Sequence, residues 1–219
     1  MKRRNMAYGV ARSVLQALAL IWAVLLAAPA SAQGQDKLVL AFGDSLMAGY
    51  GLAPAQAFPA RLEAALRKSG VKVQVRNGSV SGDTSAAGKA RLAWVLNALK
   101  RKPDLVIVEL GANDMLRGLS PAQTRANLDA ILTELKRRQI PVLVAGMRAA
   151  PNMGKAYAAQ FEPIFPQLAR KHGAALYPFF LAGVAAQRPL LQADGMHPNP
   201  RGVEVVVRGI APQVARLLR

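Results

Sequence analysis

An α/β fold, a three-layer α/β/α sandwich built on a parallel sheet, is what this sequence predicts, and three observations predict it. Short apolar runs alternate with amphipathic helical patterns along the chain. Four of the five runs are too continuously apolar for a sheet with one wet face, and the spacing leaves a helix between successive strands. Parallel strands joined by right-handed crossovers follow. Ligands of such a sheet bind outside the carboxyl ends of its strands, so chemistry is sought in the loops that leave those ends.

In chain order, the first 32 residues stand apart. Lys2, Arg3, Arg4 and Arg12 precede an apolar run from Val14 to Ala28, and Ala30-Ser31-Ala32 has the small-x-small pattern of a secretory cleavage site. The run is shorter than the about 20 apolar residues that span a bilayer, and Gln16 interrupts it. A signal peptide over 1–32, cleaved after Ala32, is therefore expected ahead of a single domain over 33–219, which places the protein in the periplasm or outside the cell. Losing those residues and their four basic charges takes the 219-residue chain of net charge +17 to 187 residues and +13. The sequence has no cysteine, so disulfides, lipid anchoring through Cys and thiolate metal sites are excluded. With His172 and His197 as the two imidazoles, no metal centre is expected.

Five runs read as strands: Leu38 to Phe42, Val71 to Val75, Leu105 to Leu110, Val142 to Ala145 and, the least apolar, Ala174 to Tyr177. Between them Phe58/Leu62/Ala65/Leu66, Leu92/Val95/Leu96/Leu99 and Leu128/Ile131/Leu132/Leu135 each mark one helix face at three- and four-residue spacing. Ser120-Pro121-Ala122-Gln123 supplies the third of these helices with an N-cap, a first-turn proline and a capping-box glutamine. A fourth helix around Phe161/Ile164/Phe165/Leu168 is interrupted by Pro163 and Pro166. A last helix occupies much of Pro200 to Leu218, with Gly202, Gly209 and Pro212 as its weak points.

The positive charge falls where this architecture can use it. Arg67-Lys68, Lys100-Arg101-Lys102, Lys136-Arg137-Arg138 and Arg170-Lys171 lie at or just beyond predicted helix C-termini, where cations complement the helix dipole. Those ends lie opposite the expected site. No basic, aromatic-interleaved motif accompanies them, so no nucleic-acid partner is expected, and loose attraction to an anionic membrane surface is the reading kept.

Four strand-end segments carry polar clusters: Gly43-Asp44-Ser45, then Asn77-Gly78-Ser79-Val80-Ser81-Gly82-Asp83, then Gly111-Ala112-Asn113-Asp114, and finally Asp194-Gly195-Met196-His197-Pro198. Acyl transfer requires a nucleophile, a base, a carboxylate that orients the base, and donors for a developing oxyanion. Ser45 at the end of an apolar strand is the candidate nucleophile. His197 is the candidate base, and Asp194, three residues before it with Gly195 permitting a turn, is the candidate orienter. Gly82 N–H, the Asn113 side-chain amide and Ser45 N–H are candidate oxyanion donors, although Gly82 also suits an ordinary turn and Asn113 an Asx turn. His172 is read as a helix cap, and Asp44 and Asp114 as local hydrogen-bonding residues.

Taken together, Gly43-Asp44-Ser45-Leu46, the glycine of Ser81-Gly82-Asp83-Thr84, Gly111-Ala112-Asn113-Asp114 and Asp194-Gly195-Met196-His197-Pro198 resemble, in order, the four sequence blocks of the SGNH/GDSL hydrolases. Val108-Glu109-Leu110-Gly111, Leu116-Arg117-Gly118 and Tyr177-Pro178-Phe179-Phe180 are similar to the periplasmic thioesterase/lysophospholipase/arylesterase branch. The resemblance implies a flavodoxin-like sheet of order 2-1-3-4-5 and no metal or organic cofactor. It also implies Ser45 as nucleophile, His197 as base, Asp194 as orienter, and Ser45, Gly82 and Asn113 as oxyanion donors.

Substrate is read from the methionines. Met47, Met115, Met147, Met153 and Met196 all fall in strand-end loops or beside His197. With Leu116 and Leu119 they are expected to line an acyl pocket, unless they serve as core filler. The expected activity is hydrolysis of aryl esters, fatty-acyl esters, acyl thioesters or lysophospholipids, with no obligate protein partner. A carbohydrate O-deacetylase, or a non-catalytic lipid- or envelope-binding protein on the same scaffold, are the alternatives.

Overall fold

In the computed structural model, which describes residues 35–219, five parallel strands pair in the order β2-β1-β3-β4-β5. They are β1 (Lys37–Gly43), β2 (Val73–Asn77), β3 (Leu105–Glu109), β4 (Val142–Ala145) and β5 (Ala175–Tyr177). The sequence-based order and sandwich hold. The expected signal peptide lies outside the described residues.

The helices are α1 (Ser45–Ala48), α2 (Phe58–Lys68), α3 (Ser85–Asn97), α4 (Ala112–Leu116), α5 (Pro121–Arg137), α6 (Gly154–Phe161), α7 (Ile164–His172) and α8 (Pro200–Leu217). Contacts sort the long ones into two layers: α2 packs on α8, while α3 packs on α5 and α5 on α7. Their apolar stripes and the strands share one core that includes Phe42, Leu62, Ile107, Leu132, Phe165 and Ile210. Each basic cluster read from the sequence lies in the last turn of a helix or just beyond it.

Local details shift some boundaries. Val71 is expected in a strand, but its N–H closes the end of α2 on Leu66 O at 3.0 Å, so β2 starts at Val73. As an edge strand it alternates, with Val73 and Val75 buried and Gln74 and Arg76 exposed. The chain does break before Pro163, which separates α6 from α7; Pro166 sits in the first turn of α7, where its missing N–H costs nothing. Gly202, Gly209 and Pro212 do not interrupt α8. The two glycines instead admit close neighbours, the Leu190 carbonyl and the Tyr177 hydroxyl.

Register fixes what meets at the carboxyl edge. Ala41 pairs with Asn77 on one side and Ile107 on the other, and Gly43 lies beside Glu109. A Cβ on Gly43 meets Glu109 O at 2.6 Å and Glu109 Oε2 at 2.7 Å. Gly43→Ala is therefore expected to destabilise by the about 1–3 kcal/mol typical of overpacking. At about 2–4 °C per kcal/mol for a chain of this size, thermal denaturation reads this as a Tm lower by about 2–12 °C.

Candidate active site

The strand order reverses between β1 and β3, because the chain leaves β1 toward β2 and returns to the opposite side at β3. A crevice opens at such a switch point. Ser45 follows β1 and Asn113 follows β3, so they flank it.

Asp44 turns the chain sharply. Its carboxylate accepts the Leu46 N–H at 3.1 Å, caps α1 and leaves Ser45 as the first helical residue. The fourth cluster reaches this serine from the loop before α8. His197 Nε2 lies 2.8 Å from Ser45 Oγ, and His197 Nδ1 lies 2.6 Å from Asp194 Oδ2. Asp194 Oδ1 also accepts the backbone N–H groups of Met196 and His197 at 2.9 and 3.0 Å. The turn that permits this needs Gly195 at φ 73°, a left-handed conformation that suits glycine. The Met196 N–H first, then the His197 ring and N–H, hold the Asp194 carboxyl down to about 2. It is therefore an anion throughout the neutral range, facing an imidazole nitrogen.

The second loop is stitched beside the Ser45 turn. Gly78 N–H donates to Ala41 O at 2.8 Å, Val80 N–H to Gly43 O at 3.1 Å, and Gly43 N–H to Ser79 Oγ at 3.1 Å. Gly82 has φ 87° and is exposed, and its carbonyl accepts from Arg117 at 2.9 Å. In the third loop Gly111, at φ 119°, starts α4 and leads to Asn113. Asn113 Nδ2 donates to Asp44 Oδ2 at 3.1 Å and to Asp83 O at 3.0 Å, joining all three loops. Asp114 reaches farther than the expected local turn. It is buried and accepts from Ser85 N–H, Ser85 Oγ and Thr124 Oγ1, so it anchors α3 and α5.

The expected acyl-pocket set divides. Met47 and Met147 are buried in the core, because α1 turns Met47 inward and Met147 lies two residues past the end of β4; both are corrected from pocket wall to core. Met115 is also buried, and its sulfur accepts the Ala150 N–H at 3.0 Å. Met153 and Leu119 are half-buried, with Met153 packed against the core. Leu116, the last residue of α4, is 55% exposed, and Met196, Tyr50 and Val80 are exposed in loops. His172 is the last residue of α7, but the cap there is Gly173 at φ 66°; the His172 ring instead pairs with Asp129 at 2.5 Å, away from Ser45 in the fold.

Three side chains that the sequence reading left out take part in the site. Tyr50 places its ring 4.7 Å from the His197 ring. Arg91 donates to Asp83 Oδ2 at 2.5 Å, Gly43 O at 3.1 Å and Gly78 O, and covers the Phe42 ring at 4.3 Å. Glu109 is fully buried behind Asp44. A signal existed for Glu109, since a carboxylate terminates an otherwise apolar strand; Tyr50's contact with His197 and Arg91's with Gly43 O, 48 positions away, carry none, because those partners are distant in sequence.

A serine held by an imidazole that is held by a carboxylate, at a sheet's switch point, is the layout of an ester-cleaving serine hydrolase. The chain belongs to the GDSL-like lipase/acylhydrolase family, whose model matches residues 41–205. An arylesterase of Vibrio mimicus is 39% identical over 189 residues, covering 86% of this chain and 93% of that protein. Thioesterase 1/protease 1/lysophospholipase L1 of Escherichia coli K12 is 38% identical over 187 residues, covering 85% of this chain and 87% of that protein. Among solved structures, the SGNH-hydrolase family esterase AlinE4 superposes with a TM-score of 0.72 at 52% identity, over 85% of this chain and 98% of that one. The chain is thus an SGNH-type esterase.

Proposed function

We propose that this esterase is exported and cleaves hydrophobic acyl esters and thioesters, lysophospholipids included, through an acyl-enzyme on Ser45. One observation carries the reading: Ser45 Oγ, His197 and Asp194 are hydrogen-bonded in series at 2.8 and 2.6 Å, with no competing partner for the ring nitrogens among the described residues. Ser45 Oγ attacks the carbonyl carbon while His197 Nε2 takes the hydroxyl proton. The negative charge that collects on the carbonyl oxygen is met by Ser45 N–H, Gly82 N–H and one Asn113 Nδ2–H, shared with its present acceptor. His197 passes its proton to the leaving alcohol or thiol, and water then repeats the sequence to release the acid. Asp194 steadies the imidazolium that forms in each half.

The exposed apolar side chains of Tyr50, Val80 and Met196 in loops and of Leu116 at the end of α4 support an acyl rather than a sugar substrate. The names of the relatives, arylesterase and thioesterase/lysophospholipase, point the same way. The basic, apolar, small-x-small leader supports export, with loose association of the +13 mature protein with anionic membrane surfaces and no nucleic-acid or obligate protein partner.

An acyl-chain-length series of p-nitrophenyl esters, with Ser45→Ala as blank, tests substrate and site together. kcat/KM is expected to rise from acetyl to octanoyl, by about 10-fold or more for the added methylenes. A serine-directed phosphonate is expected to add one equivalent, on Ser45. Strong rejection of octanoyl favours the O-deacetylase, and inertness toward every ester and the phosphonate favours a binding protein.

A further inference from the structure

Glu109 ends the strand whose every residue is buried, and it has no exposed surface of its own. Its Oε2 receives the Asp44 N–H at 3.5 Å, and among the described residues its Oε1 has no hydrogen-bond partner. Gly43, the residue beside it, leaves the space its carboxyl occupies. The titratable group beside this carboxyl is Asp44, whose own neighbours are the Asn113 amide and the His197 charge; beyond them the Arg91–Asp83 pair is tied to Asn113 through Asp83 O. Arg91 directs its guanidinium to Gly43 O, Gly78 O and Asp83. Among the described residues no Lys, Arg or His pairs with Glu109.

An ionised carboxylate with an unpartnered oxygen and no cation is strongly disfavoured in such a place. A carboxylic acid is not, because its hydroxyl can donate to the neighbouring Asp44 carboxylate. Burial raises the Glu109 carboxyl well above its ordinary range, and the Asp44 charge raises it further. Asp44 is itself fully buried and raised by burial, and the Leu46 N–H, the Asn113 amide and the His197 charge act to keep it an anion. The two carboxyls are therefore one unit that holds a proton. Its outer face accepts the Leu46 N–H, which shapes the Ser45 turn, and the Asn113 amide.

We propose that Glu109 is a positioning residue that works as a neutral carboxylic acid, bridging its proton to Asp44 so that the Asp44 carboxylate fixes both the Ser45 turn and the Asn113 amide. The role rests on the reading of Ser45 as nucleophile and Asn113 as oxyanion donor. At alkaline pH the shared proton leaves, two buried carboxylates face one another, and the amide loses its fixed direction. Glutamine keeps the arrangement at every pH: its oxygen accepts the Asp44 N–H and its NH2 donates to Asp44, with no charge to gain.

The experiment compares wild type, Glu109→Ala and Glu109→Gln from neutral to strongly alkaline pH with a p-nitrophenyl ester. Glu109→Ala is expected to lower kcat by about 10- to 100-fold with KM little changed, the effect of a donor displaced by a fraction of an ångström to an ångström. Glu109→Gln is expected to restore kcat to within about fivefold of wild type and to lack the alkaline fall. A glutamine variant as poor as the alanine variant overturns the proposal, because the charge is then what matters; an alanine variant equal to wild type overturns it as well. A readout independent of turnover is the 13C carboxyl signal of Glu109, assigned by its loss in Glu109→Gln and recorded in a Ser45→Ala background. A neutral-acid shift at neutral pH is expected and an ionised shift overturns the proposal, whatever esters the enzyme cleaves. Retained activity in Ser45→Ala sinks the nucleophile reading instead, and leaves the carboxyl signal to be read by itself.

Discussion

Ser45→Ala is expected to lower kcat for ester hydrolysis by about 10⁴- to 10⁶-fold, the range seen when one member of a nucleophilic relay is removed. The hydroxyl has one recorded partner, His197 Nε2, and Ser45 is half-buried at the start of α1, so its loss leaves Tm within about 2 °C of wild type. His197→Ala is expected to cost as much, since an unassisted serine hydroxyl is a poor nucleophile. The double variant is expected to be no slower than the slower single one, because the two act as a unit. Steady-state kinetics on an octanoyl ester, with thermal melts for folding, checks all three. Losses that multiply in the double variant argue for two independent contributions and against the relay.

Asn113→Ala carries the second large effect, about 10²- to 10³-fold in kcat, the cost of removing one donor from an oxyanion site. KM should change little, because the donor works on charge that develops during the reaction. This substitution also costs stability, unlike Ser45→Ala. Asn113 holds Asp44 Oδ2 and Asp83 O together, and its loss strips a partner from a buried carboxylate, worth about 1–3 kcal/mol. The pH dependence has a definite sign. Burial first, offset by the Leu46 N–H and the Asn113 amide, leaves the folded Asp44 carboxyl above its ordinary range. A raised carboxyl favours the folded state at pH values below its unfolded titration, and that advantage is lost as pH rises through the folded value. Removing the amide raises Asp44 further, so the Tm deficit of Asn113→Ala is larger above neutrality than in mild acid. A deficit that is the same at both pH values argues that Asp44 is not the group Asn113 stabilises. A normal kcat removes Asn113 from the oxyanion site.

Much of this was legible before any coordinate. The strands from Leu38, Leu105 and Val142 are continuous apolar runs, and a buried strand advertises itself that way whatever surrounds it. Ser45, Asn113 and the Asp194–His197 pair stand in short segments at strand ends, where a parallel sheet puts its ligand site, and the four blocks in order are distinctive for the family. Edge behaviour was less legible. Val71 looks like strand, yet its amide is taken by the end of α2, a competition that depends on how the helix closes. Pro212 looks like a break in α8, yet the helix continues through it while the apolar face from Val203 to Val214 stays packed on the core.

By itself the sequence determined the sandwich and marked Ser45, Asp194 and His197 as candidates on one side of the sheet, because periodicity and strand-end position are local properties. Only the tertiary structure decided which methionines face solvent and which fill the core. Met47 and Met196 both lie within two residues of a site residue, one buried and one exposed, and direction is a property of packing. It alone decided that Asn113 is tied to Asp44 and Asp83, that Arg91 knits the first two loops, and that Glu109 stands behind Asp44 with no cation among the described residues. The ties of Asn113 to Asp44 and Asp83 and of Glu109 to Asp44 join residues 30 to 69 positions apart, and the parallel register, with Gly43 beside Glu109, is what brings Asp44 and Glu109 within reach.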